Sequence, residues 1–492
     1  MPKVESHNDR AAKQGLIASH RWPGANTVAP LFYGQTKQVE LTTEFLKKDV
    51  IALDIFAMRR EATGDLIAPL LNNSGAGNQE DGTIAPQPGE EVTIEVIVSN
   101  RNAAHSFPPE VRDLYEAWVE FEALDARGKA IFHSGYLKPD GTLDETAHVY
   151  KQIILDEQGR QITRHQIWTT NIKAYDNAIQ AGRSDIARFR FRLPDCPAPG
   201  LNCQPLPLTL RARVNYRRVN REYASYVSGR QKRELPLPLV RMAETEIRFV
   251  SNPLLTTPNP LPVWKRWNDY SIGLLEQGQY GEAATAFRRA AEHNPADVNL
   301  LVNAAIAELR TERFAHHERP QLAKAAGLLE RAEQIPGQDP AGPARMRLWY
   351  YRALVWRAQG RLGEAAAELA RIAEAFPRDR EIRRQLAQTR YSLGELSLAR
   401  QGFEAILNID PTDFGAYQFL APLYLSEGRA AEAERADKLY LQWRDDPRAD
   451  AVAARFFAAH PEWADERIGA HMHGQAIAQR PVLTGTAAAP DR

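Results

Sequence analysis

Residues 92–123 read VTIEVIVSNRNAAHSFPPEVRDLYEAWVEFEA. Val92, Ile94, Val96 and Val98 alternate with Thr93, Glu95 and Ser99, the period of two that marks a strand with one apolar face. Tyr115, Ala117, Val119, Phe121 and Ala123 repeat the pattern against Glu116, Glu120 and Glu122. Between the two strands His105 precedes Ser106, Phe107, Pro108 and Pro109. The two prolines fix φ and bias their predecessors toward extended backbone, so the spacing predicts a stiffened loop presenting one imidazole.

Further strands follow the same rule in DVIALDIFAMRRE (49–61), IARFRFRL, LTLRARVNY and AETEIRFV. Asp125 to Gly128 and Asp156 to Gly159 supply matching hairpin turns, with glycine at the left-handed position. Eight or nine short strands between residues 49 and 250 predict an antiparallel β-sandwich of immunoglobulin-like type. Residues 1–48 read as a helical and loop segment, with one helix in DRAAKQGLIASHRW and a second in TKQVELTTEFLKK. SNPLLTTPNPLP (251–262) is a proline-rich linker.

Beyond the linker the period changes. Gly360, Gly394 and Gly428 stand 34 residues apart, as do Ala365, Ala399 and Ala433, and Pro377 and Pro411. This is the tetratricopeptide period, which predicts an all-α solenoid over 263–445. Trp267, Gly278, Ala283 and Pro295 fill the first unit, and Trp349, Ala353 and Trp356 open the third. The 82 residues from Gly278 to Gly360 place insertions in and after the second unit, the first carrying His316 and His317. Residues 446–475 are expected to form a helix capping the solenoid, and 476–492 a disordered tail. The whole is a multidomain α+β chain.

With 62 basic and 62 acidic residues among 492, net charge draws the chain toward neither nucleic acid nor anionic lipid. No run reaches the length of a membrane span, and residues 1–30 lack a signal-peptide core. Arg211 to Arg233 interleaves arginine with tyrosine, a composition that suits single-stranded nucleic acid, but its alternation favours a solvated strand face. Trp118, on the glutamate face of its strand, reads either as an interface residue or as one roofed by a loop. His133, His148 and His165 fit no ligand spacing and read as structural or solvent-facing. His471 and His473 form a His-x-His pair, a metal candidate. No catalytic constellation is present, whereas a repeat groove implies a protein partner.

The residues around His105 resemble the Gly-His-x-Phe-Pro segment of periplasmic multihaem c-type cytochromes that carry tetratricopeptide repeats. The resemblance extends through LYEAWVEFEALDARGKAIFHSGYL, YDNAIQAGRSDIARFRFRLP and SHRWPGANT. It implies periplasmic electron transfer, with His105 and His20 as axial ligands of haem c. Two departures stand beside it: Ala104 replaces the family's glycine, and no Cys-x-x-Cys-His motif is present, so this chain cannot itself attach haem c. The opening MPKVESHNDRAAKQG resembles the segment that comes directly after a haem motif in that family. Met1 is therefore expected not to be the true start, the haem module lying upstream or in a partner chain. Export would also favour a disulfide between Cys196 and Cys203, bent together by Pro197, Pro199 and Gly200. The alternative is a haem-free, cytoplasmic scaffold that assembles a complex through its repeats.

Overall fold

The computed structural model describes residues 3–6, 8–18, 24–70, 87–109, 111–195, 207–249, 261–312, 320–336, 339, 342–463 and 469–474. It divides into two compact units, Met1–Pro260 with Val452–Arg492, and Leu261–Ala451. No helix among the described residues is long and apolar enough to cross a membrane.

In the first unit, β1 (Lys3–Glu5) and β2 (Leu16–Ala18) pair as a small hairpin where a helix was expected. Its turn explains the difference: Gln14 and Gly15 both take positive φ, at 54° and 73°, which a helix cannot accommodate. Helices α1 (Val28–Phe32) and α2 (Thr36–Lys47) follow, the latter as expected. The strands are β3 (Ile51–Arg60), β4 (Leu66–Ile67), β5 (Glu91–Asn100), β6 (Glu116–Leu124), β7 (Ala130–Ser134), β8 (His148–Tyr150), β9 (Gln152–Leu155), β10 (Ile172–Asp176), β11 (Ser184–Arg192), β12 (Leu208–Arg217) and β13 (Val240–Phe249), with helix α3 (Arg221–Gln231) before the last.

One antiparallel sheet runs β11-β5-β3-β4; a second runs β13-β12-β6-β7, with β8 also on β6. Their apolar faces share one core. Val92, Ile94, Val96 and Val98 of β5 meet Ala117, Val119, Phe121 and Ala123 of β6 in it, and Phe121 stacks on Phe189 at 4.6 Å. The alternation in the sequence is thus the partition between core and outer face. β5's outer face is also buried, Thr93 and Glu95 each 1% exposed, because neighbouring side chains fold over it: Thr93 donates to Glu61 at 2.6 Å and Glu95 pairs with Arg59 and Arg188. The strand order establishes two antiparallel sheets and does not by itself identify the immunoglobulin-like type expected. Gly128 and Gly159 take φ of 74° and 76° in the two hairpin turns as the spacing requires.

Trp118 is fully buried; its Nε1 donates to the Gly135 carbonyl at 2.8 Å, and Leu143, Ala147, Val149 and Trp463 cover it. The roofed reading therefore holds. Arg211, Arg213 and Arg217 of β12 pair across strands with Glu246, with Glu120, Glu122 and Glu244, and with Glu116. The arginine-tyrosine stretch is a cross-strand ion-pair ladder followed by a helix.

Among the described residues the second unit contains five helical hairpins: α4 (Val263–Glu276) with α5 (Tyr280–His293), α6 (Val298–Glu312) with α7 (Pro320–Glu333), α8 (Pro343–Ala358) with α9 (Leu362–Ala375), α10 (Arg380–Ser392) with α11 (Leu396–Leu407), and α12 (Phe414–Ser426) with α13 (Ala430–Trp443). Gly278, Gly360, Gly394 and Gly428 end first helices at φ of 74–81°. Each is followed by a residue whose N–H returns to a carbonyl five residues back, for example Gln279 to Leu274 at 2.9 Å and Arg361 to Trp356 at 2.9 Å. That is the Schellman closure, which needs a left-handed residue. Ala283, Ala365, Ala399 and Ala433 are at most 1% exposed. Leu301, Trp349, Tyr417 and Tyr424 each occupy a bulky position of a first helix, and the repeat spacing predicts one continuous core for them. Trp349 instead packs on a cluster around Ala365 and Leu369, while Tyr417 and Tyr424 pack on another around Phe403 and Leu420. Helix α14 (Ala449–Ala459) forms as expected, and the chain from Val452 onward groups with the β-unit.

Candidate functional site

In the repeat unit, the first helices of three successive hairpins each contribute one stripe to a cleft of about 620 Å³. Ile306, Leu309 and Arg310 come from α6. Tyr350, Leu354 and Arg357, at i, i+4 and i+7, come from α8, and Glu381, Gln385 and Gln388 from α10 repeat that spacing. The neighbouring stripe of α8, Trp349, Ala353 and Trp356, packs on α9 with Tyr350 at its border, so Tyr350 spans core and cleft while Leu354 and Arg357 are left to the cleft. Arg357 donates to Gln385 and, at 3.2 Å, to Gln388. Burial holds its guanidinium below the usual arginine range. Burial, with Glu381 close by, pushes the Tyr350 phenol up, so it stays a neutral donor. Tyr350 and Tyr351 meet edge to face at 5.1 Å. The cleft thus offers aromatic and aliphatic walls with amide, guanidinium and carboxylate groups at fixed positions.

Of the residues singled out in the sequence, His20, Cys196, Cys203, His316 and His317 lie outside the described residues. His105 is exposed, and its Nδ1 donates to the Ser106 carbonyl at 2.8 Å, which leaves Nε2 as the lone-pair nitrogen. Its loop is anchored from behind. Asn100 Nδ2 donates to the His105 carbonyl at 2.8 Å, and Phe107 and Ile179 exchange backbone hydrogen bonds at 2.8 Å. Arg112 fastens the same loop to Asp176 at 2.6 Å. His165, at φ 57°, bonds Asp113 at 2.8 Å. His133 bonds Glu120 at 3.3 Å, and that bond raises its pKa.

His471 and His473 are brought together with His148, which sequence reasoning had placed among the structural histidines. His148 Nδ1 lies 2.8 Å from His473 Nε2, and one ligand nitrogen from each of the three rings falls within 4.8 Å of the others. No spacing could have signalled this grouping. Glu120, Glu122 and His133 also draw together, but Arg213 stands 2.9 and 2.8 Å from the two carboxylates and supplies the cation there.

A family model described as tetratricopeptide repeat matches residues 357–418. The helical unit carries tetratricopeptide repeats. No curated protein matches the chain. Among solved structures, one titled "Crystal structure of MamA" is 18% identical, covers 35% of this chain and 94% of its own, and has a TM-score of 0.30. MamA 41-end from Desulfovibrio magneticus RS-1 is 16% identical, covering 37% and 94%, with a TM-score of 0.32. YrrB, titled a TPR protein with an unusual peptide-binding site, is 17% identical, covering 39% and 91%, with a TM-score of 0.30. Likeness at this level carries no argument about what this chain binds. Nothing among the matches shows the multihaem origin expected from the resemblance.

Proposed function

We propose that this chain is a protein-interaction scaffold whose repeat cleft receives a short peptide segment of a partner. The observation that carries this reading is the convergence of one stripe from each of α6, α8 and α10 on a single cleft. Tyr351 and Leu354 suit an apolar anchor, while the amides of Gln385 and Gln388 both donate and accept and so suit a peptide backbone. The test screens a peptide array with the full chain, then measures the Kd of the best peptide for the wild type and for Leu354→Asp and Gln388→Ala. Weakening of tenfold or more with unchanged thermal melting is the expected result. Equal affinity across the three proteins overturns it.

A role in periplasmic electron transfer, with haem c supplied by an upstream or partner module and His105 and His20 as axial ligands, rests on the sequence resemblance. One observation favours it at His105: the proton on Nδ1 leaves Nε2 able to ligate iron. Soret absorbance of the natural full-length product tests it, and a colourless product sinks it.

A further inference from the structure

The three grouped histidines have the surroundings of metal ligands. His148 Nε2 lies 2.8 Å from Asp185 Oδ2, which also accepts from Tyr150 Oη at 3.1 Å. His473 Nδ1 lies 3.0 Å from the Thr146 carbonyl. A carbonyl only accepts, so His473 carries its proton on Nδ1; the carboxylate likewise holds the His148 proton on Nε2. The lone pairs of His148 Nδ1 and His473 Nε2 then face each other across 2.8 Å, a gap that only a cation, proton or metal, makes favourable. His471 completes the group, its ring parallel to that of His148 at 5.5 Å and 4.7 Å from that of His473. A carboxylate on one ligand ring and a carbonyl on the other are the outer partners that fix tautomer and orientation in histidine metal sites.

The site is held by the fold. His148 and Tyr150 share one face of β8, at the edge of one sheet, and Asp185 lies on β11, at the edge of the other. The segment 471–474 lies along β11: His473 N donates to Arg188 O at 2.9 Å and Arg190 N to His473 O at 3.1 Å. Gly474, at φ +103°, brings the backbone so close that a Cβ would lie 2.4 Å from the Phe132 ring. His148 and His473 are each 2% exposed.

We propose that His148, His471 and His473 bind one late first-row divalent cation, with Asp185 as the outer partner of His148. Imidazole nitrogens select zinc, copper and nickel over magnesium and calcium. Tetrahedral zinc places ligand nitrogens about 3.3 Å apart, so the observed 2.8 Å needs to open only slightly. The inference is independent of the repeat cleft.

The test strips the full chain with a chelator and titrates it with Zn²⁺ by calorimetry, with metal content measured after gel filtration. One equivalent is expected, with micromolar or tighter Kd. His148→Ala and His473→Ala should lose it, His471→Ala should weaken it at least tenfold, and His293→Ala, in the other unit, should leave it unchanged. Should the alanine variants misfold by circular dichroism, Asp185→Asn decides, because it keeps all three ligands and should weaken binding by roughly ten- to a hundredfold. The proposal is overturned by wild type that retains no zinc, by folded His148→Ala and His473→Ala variants that bind like wild type, or by Asp185→Asn with wild-type affinity where those variants misfold.

Discussion

His148 Nδ1 and His473 Nε2 approach to 2.8 Å although 325 residues separate them. The contact joins the edge of one sheet to the last described segment of the chain. It also places a polar group beside Phe189, whose ring lies 5.8 Å from that of His473 at the rim of an otherwise apolar core. Burying polar rings there is tolerable because Asp185 and the Thr146 carbonyl hold the outer ring nitrogens, while the cation proposed above would join the facing pair.

Tyr150→Phe removes a donor to Asp185 while keeping the ring in the core. Burial and the adjacent carboxylate raise the phenol well above its usual pKa, so the hydroxyl is protonated at any ordinary pH. We expect a loss of roughly 1–3 kcal/mol in urea unfolding of the β-unit, the range for a buried hydrogen bond to a charged group. A loss near zero would mean that Asp185 is satisfied without Tyr150.

Gly474→Ala should detach the segment on β11, since its φ is unfavourable for alanine and its Cβ would collide with Phe132 and the Arg190 carbonyl. Hydrogen exchange at the Arg190 amide, which donates to His473, is expected to quicken at least tenfold. Unchanged exchange would show that the segment tolerates the added methyl group.

Gly394→Ala and Ala399→Arg separate two kinds of cost in one repeat. Nothing lies within 4 Å of a Cβ at Gly394, so that substitution costs only the left-handed backbone, about 1–2 kcal/mol. Ala399 is completely buried, and arginine there should cost several kcal/mol through overpacking and an uncompensated charge. Equal melting shifts for the two would contradict the helix packing described.

His133 gives the ladder on β12 a pH dependence of known sign. Its hydrogen bond to Glu120 raises the folded pKa, so its contribution is complete below the unfolded value, about 6.5, and disappears as pH rises through the folded one. Glu120 behaves oppositely. Its burial works to raise its pKa, but hydrogen bonds from His133 and Asn215 and the charge of Arg213 prevail and lower it, so that contribution is lost as pH falls through the folded value. The urea midpoint of wild type should exceed that of His133→Asn at pH 5.5 and converge with it at pH 8.5. A gap that widens with pH would reverse the assignment.

Much of the architecture was legible because it is written in local periods. Alternation located β5 and β6, and the 34-residue recurrence located the turn glycines and packed alanines. The failures have a common cause in contacts that leave no local trace. The turn at Gln14 and Gly15 overrode a helical composition in DRAAKQGLIASHRW, and the apolar spacing after Val452 does not say that this stretch groups with the β-unit. His148 gave no signal at all, its partners being 37 and 325 residues distant.

The segment His471–Gly474 also imposes an order on biogenesis. Strand β11 is made before the 191 residues of Leu261–Ala451, and its outer rim of N–H and C=O groups waits for residue 473 throughout that synthesis. During that interval the rim is a template for any extended chain, as bare sheet edges are. A product truncated before residue 471 keeps the vacancy, and the intact segment of a second copy has the right sequence to fill it. Exchange of this short strand between nascent copies is therefore the misassembly to which the fold is most exposed.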